Sequence, residues 1–433
     1  MKKVHFVGIG GIGMSALAQL LADQGVQVAG SDREESPVTK LLESKGIKVV
    51  IGQKAENVSV GTDMVVYSDA VPVENPERVG AEGRGIPQLS YFEMLGEVSK
   101  GKRTVAVAGT HGKTTTTGML ARILRDAGAS PIAIVGSIVK DFGSNYLYGD
   151  SEVFIVEACE YRDHLLELFP RILVITNLEW DHTDYFPSLT ALQATFRKAI
   201  ESVPADGVIV TNPTNKNIAP LLATARAQIV DYTQEPAYML RLLGEFNVEN
   251  ARAAAAAARA ILPSLSDSAI EESLAAFEGT WRRFEYKGKT ASGADVYDDY
   301  AHHPTAVQAT LKALRAKTRK AAKTRKASPC GKIIVAFHPH LYSRTRDLLE
   351  GFASAFGEAD RVFIAPIYAA REVDDGTISS ELLAKRIRAT GTDAVALDSF
   401  DAIERALGEV GQSDTIMTMG AGDIYKVADK IIV

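Results

Sequence analysis

Lys113 and Thr114 stand inside VAGTHGKTTTTGML, residues 107–120, where glycines, a lysine and hydroxyls follow one another closely. Glycines let a backbone approach phosphate oxygens, a lysine ammonium neutralises β- and γ-oxygens, and the next hydroxyl can hold Mg2+. The spacing therefore points to ATP. The common G-x-x-x-x-G-K form would place its first glycine at Val107, so what remains is the tighter Gly109-Thr110-His111-Gly112-Lys113-Thr114, continued by Thr115. A helix cap carrying an incidental lysine is the alternative. A magnesium-nucleotide site needs further oxygen ligands, and these collect at strand ends in open α/β sheets. Glu157 closes the apolar run VFIVEA, with Glu160 as the second choice. Past ILVITN comes LEWDHTDYF, which clusters Asp181, His182 and Asp184. Imidazole is an unusual partner for a hard cation, so His182 stays open between metal ligation and hydrogen bonding.

A second glycine loop lies at the N-terminus, in FVGIGGIGMS, with Gly8, Gly10 and Gly13 in G-x-G-x-x-G spacing and with Gly11, Met14 and Ser15 among them. It follows a strand, opens a helix, and is followed about twenty residues on by Asp32, which can accept from a ribose or sugar hydroxyl. Backbone N–H groups at such a helix start favour a diphosphate. Alone, the loop fits an NAD enzyme, another nucleotide binder, or a structural turn. Two cradles in one chain raise the question of which two anions they serve.

The elements that must position these residues are short apolar strands alternating with helical patterns. VHFVGIG, a helix from about Met14 to Asp23, and VQVAGSD make a βαβ unit, continued by IKVVIG and DMVVYSDAV. TVAVAG and the helix TTTTGMLARILRDAG open a second segment, whose strands EVFIVEA and ILVITNL are continuous apolar runs, as expected of parallel strands covered on both faces. An alanine-rich helix, NVENARAAAAAARAIL, follows. A third segment carries DVYDDYA, KIIVAFH, RVFIAPI and TIMTMG. The fold class is α/β with three domains: residues 1–98 Rossmann-like, 99–284 a central P-loop ATPase-like domain, and 285–433 again Rossmann-like.

The 433 residues exceed what one core organises, and no apolar run reaches the ~20 residues that cross a bilayer. Apolar residues make up 46% and the net charge is −6, which argues for a globular chain without a nucleic-acid or membrane partner. The opening MKKVHFVGIGG has a signal-peptide-like charge pattern, but its glycines fit a strand-turn-helix better. Cys159 and Cys330 are too few for a disulfide framework, so a reducing cytoplasm is expected. In the basic stretch 314–332, AKTRK occurs twice and reads as a solvated helix end.

The motifs in order, GIGGIGMSALA, YSDAVPVENPE, GTHGKTTTT, GEFNVENARAA, FEGTWRRFE, YDDYAHHPT, FHPHLYSRTRDL and MGAGD, resemble the Mur ligase family over the full length. The resemblance implies an ATP-dependent ligase in which the γ-phosphate passes to the carboxylate of UDP-N-acetylmuramate and the amine of L-alanine attacks the acyl phosphate. The first loop would hold the UDP diphosphate and the second ATP. By the same resemblance Lys113 faces the γ-phosphate, while Thr114, Glu157 and His182 are metal residues. Asn247 and Asn250 match a pair near the nucleotide, Arg283 the arginine before FE, and Asp299 an aspartate gripping the nucleotide. Tyr300, His302, His340 and Arg344 would line the amino-acid pocket, Arg344 clamping a carboxylate bidentately; strand-end loops held by local hydrogen bonds are the alternative. Mg2+, a cytoplasmic location and a monomer or weak homodimer are implied. Departures exist: EACEYRD stands where EADESD is frequent, placing Arg162 at an acidic position, and Phe246 replaces a histidine. Lys198 in FRKAI is too loosely matched to be a carbamoylated lysine. A ligase that recycles a ready-made tripeptide shares most motifs. An NAD-dependent oxidoreductase built on Gly8 to Asp32 leaves LEWDHTD, RRFE and DDYAHHP without a role.

Overall fold

A computed structural model describes residues 1–324 and 331–433, with residues 321–324 described as backbone only. Cys330 and the end of the second AKTRK lie outside the described residues. The chain divides into two compact units. Met1–Leu178, Leu192–Met239 and Asn250–Glu278 form the first; Glu179–Ala191, Leu240–Glu249 and Gly279–Val433 form the second.

The first unit holds two sheets. In one, five parallel strands lie in the order Lys48–Ile51, Gln27–Asp32, Lys3–Val7, Met64–Tyr67, Gln88–Ser90. The chain winds outward in both directions from Lys3–Val7, so the crevice at that strand's C-terminal end is the topological switch point, where ligands collect. Gly8 begins the turn there. The other sheet runs Gln228–Asp231, Val208–Thr211, Ile172–Ile175, Arg103–Ala108, Val153–Glu157, Ile132–Val139, Ser144–Leu147. All its pairings are parallel except the hairpin Ile132–Val139 with Ser144–Leu147. Its central strand, Arg103–Ala108, leads into Gly109 and the helix Lys113–Asp126, and the strands on either side end at Glu157 and Ile175.

The second unit is a six-stranded sheet in the order Glu285–Lys289, Asp295–Asp299, Thr415–Met419, Ile333–Phe337, Arg361–Ile364, Asp393–Ala396, antiparallel only at the first pair. Side chains alternate across a strand, and here Tyr297, Val335 and Met417 enter one apolar cluster while Val296, Ile334 and Ile416 enter another. Both faces are therefore covered, as the unbroken apolar runs required. The C-terminal ends of three adjacent parallel strands bring Asp299, Gly420 and His338 to one edge.

Local differences from the sequence reading have physical causes. The strand expected over DMVVYSDAV stops at Tyr67, because Val71 N–H donates to Ser68 O and turns the chain. The first helix starts at Ile12. Gln88–Ser90 and the edge strands Glu285–Lys289 and Asp393–Ala396 are short or rich in polar residues and carry little periodic signal, whereas Ile132–Val139 is an eight-residue apolar run, IAIVGSIV, absent from the sequence reading.

Candidate active site

The phosphate loop is fixed by the strand beside it. Asn177 Oδ1 accepts from His111 N–H at 2.9 Å and its Nδ2 donates to His111 O at 2.9 Å, while Thr176 Oγ1 donates to the same carbonyl at 2.6 Å. Gly109 has φ +128° and Gly112 φ +84°, both in the left-handed half of conformational space. A Cβ at Gly109 would overlap Thr176 Oγ1, and one at Gly112 would overlap Asn250 Oδ1, so neither position admits a side chain. Lys113 opens the helix, and its ammonium donates to Gly109 O at 2.5 Å and to both Glu160 oxygens at 3.0 Å. Burial pulls the Lys113 ammonium down, but the Glu160 carboxylate, with Cys159 and Glu157 near, outweighs it and holds it above an ordinary lysine. Thr114 Oγ1 donates to Glu157 Oε1 at 3.1 Å, and Gly136 N–H reaches Glu157 Oε2 at 2.8 Å. This is a glycine cradle that extra Cβ atoms would fill, beside a pair of hard oxygen donors. It suits a magnesium-bound triphosphate. Thr110 and Thr115 are buried in the same turn.

The first loop is built differently. Gly8, at φ +82°, and Ile9 both donate to Ser31 O at 2.9 Å. Gly10 N–H donates to Asp32 Oδ2 at 2.8 Å, and Asp32 Oδ1 takes Arg33 N–H at 2.7 Å. A Cβ on Gly13 would stand 2.6 Å from the Tyr91 ring. Met14 and Ser15 are buried; the Ser15 hydroxyl donates to Ile12 O, which also takes Asn145 Nδ2 of the neighbouring hairpin. The Gly10 and Gly11 N–H groups are thus engaged within the loop, by Asp32 and by Gly8 O, and the helix start at Ile12 and Gly13 follows them.

In the second unit Asp299 is buried and accepts from Phe284 N–H at 2.6 Å and Ala301 N–H at 2.7 Å. Burial pushes its carboxyl up to about 6, against the pull of Arg283. The Arg283 guanidinium stands 4.9 Å from the centre of the Tyr300 ring. His302 Nδ1 lies 2.8 Å from Tyr300 O, and the His302 and His340 rings are 6.0 Å apart. Arg344 is buried, with Nε donating to Asp181 Oδ1 at 2.7 Å and Nη1 to His340 Nδ1 at 3.0 Å. Burial would raise the Asp181 carboxyl, but Arg344 and nearby imidazoles hold it well below the usual range. A bidentate clamp from Nε and Nη1 would therefore need Asp181 and His340 displaced.

Asn247 and Asn250 are buried three residues apart on the helix Glu245–Ile261; Asn250 backs Gly112, and Asn247 Nδ2 donates to Leu243 O at 2.7 Å. His182 lies in the second unit at φ +51°, its carbonyl taking the N–H groups of Tyr185 and Phe186. Lys198 is exposed on the helix Leu189–Ser202. Sequence reasoning missed two carboxylate partners, Glu160 for Lys113 and Asp181 for Arg344. It also missed Arg282, which is buried against Asp298 at 2.8 Å and donates to Gly420 O and Gly422 O. An acidic residue close to a nucleotide lysine's strand was the available signal for the first; pairing over 163 positions gave none for the second.

Three family models cover most of the chain: Mur ligase family, catalytic domain, residues 3–103; Mur ligase middle domain, 107–239; and Mur ligase, glutamate ligase domain, 282–422. The UDP-N-acetylmuramate--L-alanine ligase of Clostridium novyi is 37% identical, over 100% of this chain and 97% of the relative. That of Clostridium kluyveri is also 37% identical, over 99% and 97%. Among solved structures, UDP-N-acetylmuramate-alanine ligase from Thermotoga maritima matches with TM-score 0.77 at 27% identity, covering 100% of this chain and 98% of its own. A murein peptide ligase from Psychrobacter arcticus shares the fold, with TM-score 0.70 at 24% identity and coverage of 100% and 98%.

Proposed function

The chain belongs to the Mur ligase family, and we propose that it joins L-alanine to the carboxylate of UDP-N-acetylmuramate at the expense of ATP, in cytoplasmic peptidoglycan precursor synthesis. The observation that carries the reading is the Lys113 loop. A buried ammonium at a helix start, a left-handed glycine on either side of His111, and the Thr114–Glu157 oxygen pair supply what phosphoryl transfer needs. The other loop leads into the helix start at Ile12, with Asp32 beside it but no lysine, which suits binding of a diphosphate that is not transferred. One chain needs two cradles because two phosphate-bearing substrates meet in one reaction.

Gly109 to Thr115 hold the ATP phosphates, with Asn247, Asn250 and Asp299 on the nucleotide and Arg283 adding positive charge. Thr114 and Glu157, with His182, would hold Mg2+, which when bound offsets the phosphate charge. Lys113 stabilises charge on the transferring group in a site with little water. Gly8 to Gly13 and Asp32 take the UDP-sugar; Tyr300, His302, His340 and Arg344 take the amino acid. The domains are residues 1–98, 99–284 and 285–433, and the protein acts as a monomer or weak homodimer. No helix among the described residues is long and apolar enough to cross a membrane, in keeping with a cytoplasmic site of action.

Calorimetry separates this reading from the oxidoreductase alternative. UDP-N-acetylmuramate is expected to bind without ATP and to survive a challenge by NAD; tighter binding of NAD than of the UDP-sugar would overturn the proposal.

A further inference from the structure

We propose that a β-bulge at residues 135–138 sets the registry between the two cradles: Gly136 within it positions Glu157, and Asn145 on the strand opposite positions the helix that follows the first glycine loop. This rests on the ligase reading above and says what places its two phosphate-bearing substrates for reaction.

The hairpin Ile132–Val139 with Ser144–Leu147 is regular only at its ends. Ala133 pairs with Leu147 and Ile134 with Tyr146, and pairing resumes at Val139 with Ser144. Residues 135–138 therefore stand opposite Asn145 alone. Parallel pairing with the strand Val153–Glu157 also stops at Ile134 with Val156, one residue short of Glu157. A bulge takes residues out of the ladder and re-aims them, and bulges recur beside active sites for that reason. Here the Gly136 N–H donates to Glu157 Oε2 at 2.8 Å, while Oε1 takes the Thr114 hydroxyl at 3.1 Å. A Cβ at Gly136 would stand 2.4 Å from Glu157 Oε2, so the carboxylate lies against a backbone that tolerates no side chain.

Across the hairpin, Asn145 is buried and reaches the other cradle. Ile12 O can only accept, so the amide nitrogen of Asn145 faces it and donates. Ile12 is the first residue of the helix Ile12–Asp23, and the same carbonyl takes the Ser15 hydroxyl at 2.9 Å. Gly10 and Gly11 spend their N–H groups on Asp32 and Gly8 O, and the first intrahelical bond runs from Ser15 N–H to Gly11 O. The N–H groups of Ile12, Gly13 and Met14 are then the donors that a helix start leaves for an anion. Asn145 holds the turn that carries them. The helix packs on both hairpin strands, so the two cradles are referenced to one two-stranded ribbon.

The reaction makes that registry matter. An oxygen of the acceptor carboxylate bonds to the γ-phosphorus of ATP, the bond from that phosphorus to its bridging oxygen breaks, and the electron pair leaves on ADP. The two reactants are anchored in different cradles, and a misplacement of about 1 Å in such a transfer costs roughly 100-fold. Each substrate still fills its own cradle when the ribbon's hold is lost. What disappears is their alignment.

The test separates alignment from binding in the full-length enzyme. Asn145→Ala and Asn145→Asp should each lose roughly 100-fold in kcat and in UDP-N-acetylmuramate-dependent positional isotope exchange in ATP. Calorimetry should find their affinities for UDP-N-acetylmuramate alone and for a non-hydrolysable ATP analogue alone within about threefold of the wild type. The aspartate fills the same space but sets an oxygen against Ile12 O, so it distinguishes a lost donor from a lost shape. Gly136→Ala, at an exposed position, should weaken Mg2+-dependent binding of the ATP analogue about tenfold or more and leave UDP-N-acetylmuramate binding unchanged. Near wild-type turnover of Asn145→Asp, or a loss matched in either separate affinity, would overturn the role of Asn145. Unchanged Mg2+-dependent binding in Gly136→Ala would overturn that of Gly136. A wild-type enzyme showing no UDP-sugar-dependent exchange would instead overturn the ligase reading, and this inference with it.

Discussion

Lys113 with Glu160 in one compact unit and Arg344 with Asp181 in the other each set a cation against a buried carboxylate, and the two pairs are made differently. Lys113 meets Glu160 with side chains 15% and 1% exposed; Arg344 meets Asp181 at 2% and 5%. Lysine is a point charge on a flexible stem, so Lys113 can exchange Glu160 for a phosphate oxygen as a ligand arrives. Arginine presents a rigid fork, and Arg344 already commits Nε to Asp181 and Nη1 to His340. The first pair stores a charge for delivery. The second fixes a frame against which a neighbouring imidazole is held.

The comparison breaks most visibly at Asp181. Asp181→Ala leaves an unpaired buried guanidinium and should cost about 3–5 kcal/mol of folding stability, read as a lowered midpoint in urea unfolding. A midpoint near that of the wild type would mean that Arg344 is no frame. Next comes Lys113→Ala, expected to lose about 3 kcal/mol or more of transition-state stabilisation and to show a smaller fall in the urea midpoint than Asp181→Ala, because the buried Glu160 carboxylate loses the Lys113 ammonium. A variant with near wild-type turnover would refute the idea of a deliverable charge.

The smallest effect is in pH. Asp181 is held below its unfolded value, so its contribution is present above the ordinary carboxylate range, near 3.9, and is lost as pH falls through the lowered value. Lys113 is held above its unfolded value, so its contribution is complete below about 10.4 and is lost as pH rises through the raised one. The pairs should fail at opposite ends of the scale. Melting temperature followed over pH should show Asp181→Asn flattening the acid limb alone and Lys113→Met the alkaline limb alone; one variant altering both limbs would tie the pairs into a single network.

What was legible in the sequence divides along the same line. Strand-loop-helix order, glycine spacing and the residue after each apolar run are local, and they placed Gly8, Gly109, Glu157 and Asp299 at strand ends and Lys113 at a helix start. Pairing between distant segments leaves no periodic trace. Glu160 appeared only as a second-choice metal ligand, although it binds Lys113, 47 positions away. Asp181 appeared as one acid in a cluster. Arg344 read as a carboxylate clamp because its type suits that task, while the two bonds that already occupy it arise only in the folded chain. Met14 and Ser15 read as ligand-binding residues at the start of a helix, and their burial beside the hairpin at Asn145 arises only in the folded chain.

The central claim, that this chain couples ATP cleavage to amide formation on UDP-N-acetylmuramate, is tested most directly by phosphate release with that sugar and a panel of amines. L-alanine should be preferred, glycine and L-serine used less well by a margin on the order of 1–3 kcal/mol for one methyl group, and D-glutamate refused. One phosphate should appear per amide formed. Phosphate release that ignores the UDP-sugar, or a clear preference for the cell-wall tripeptide over L-alanine, would contradict the account.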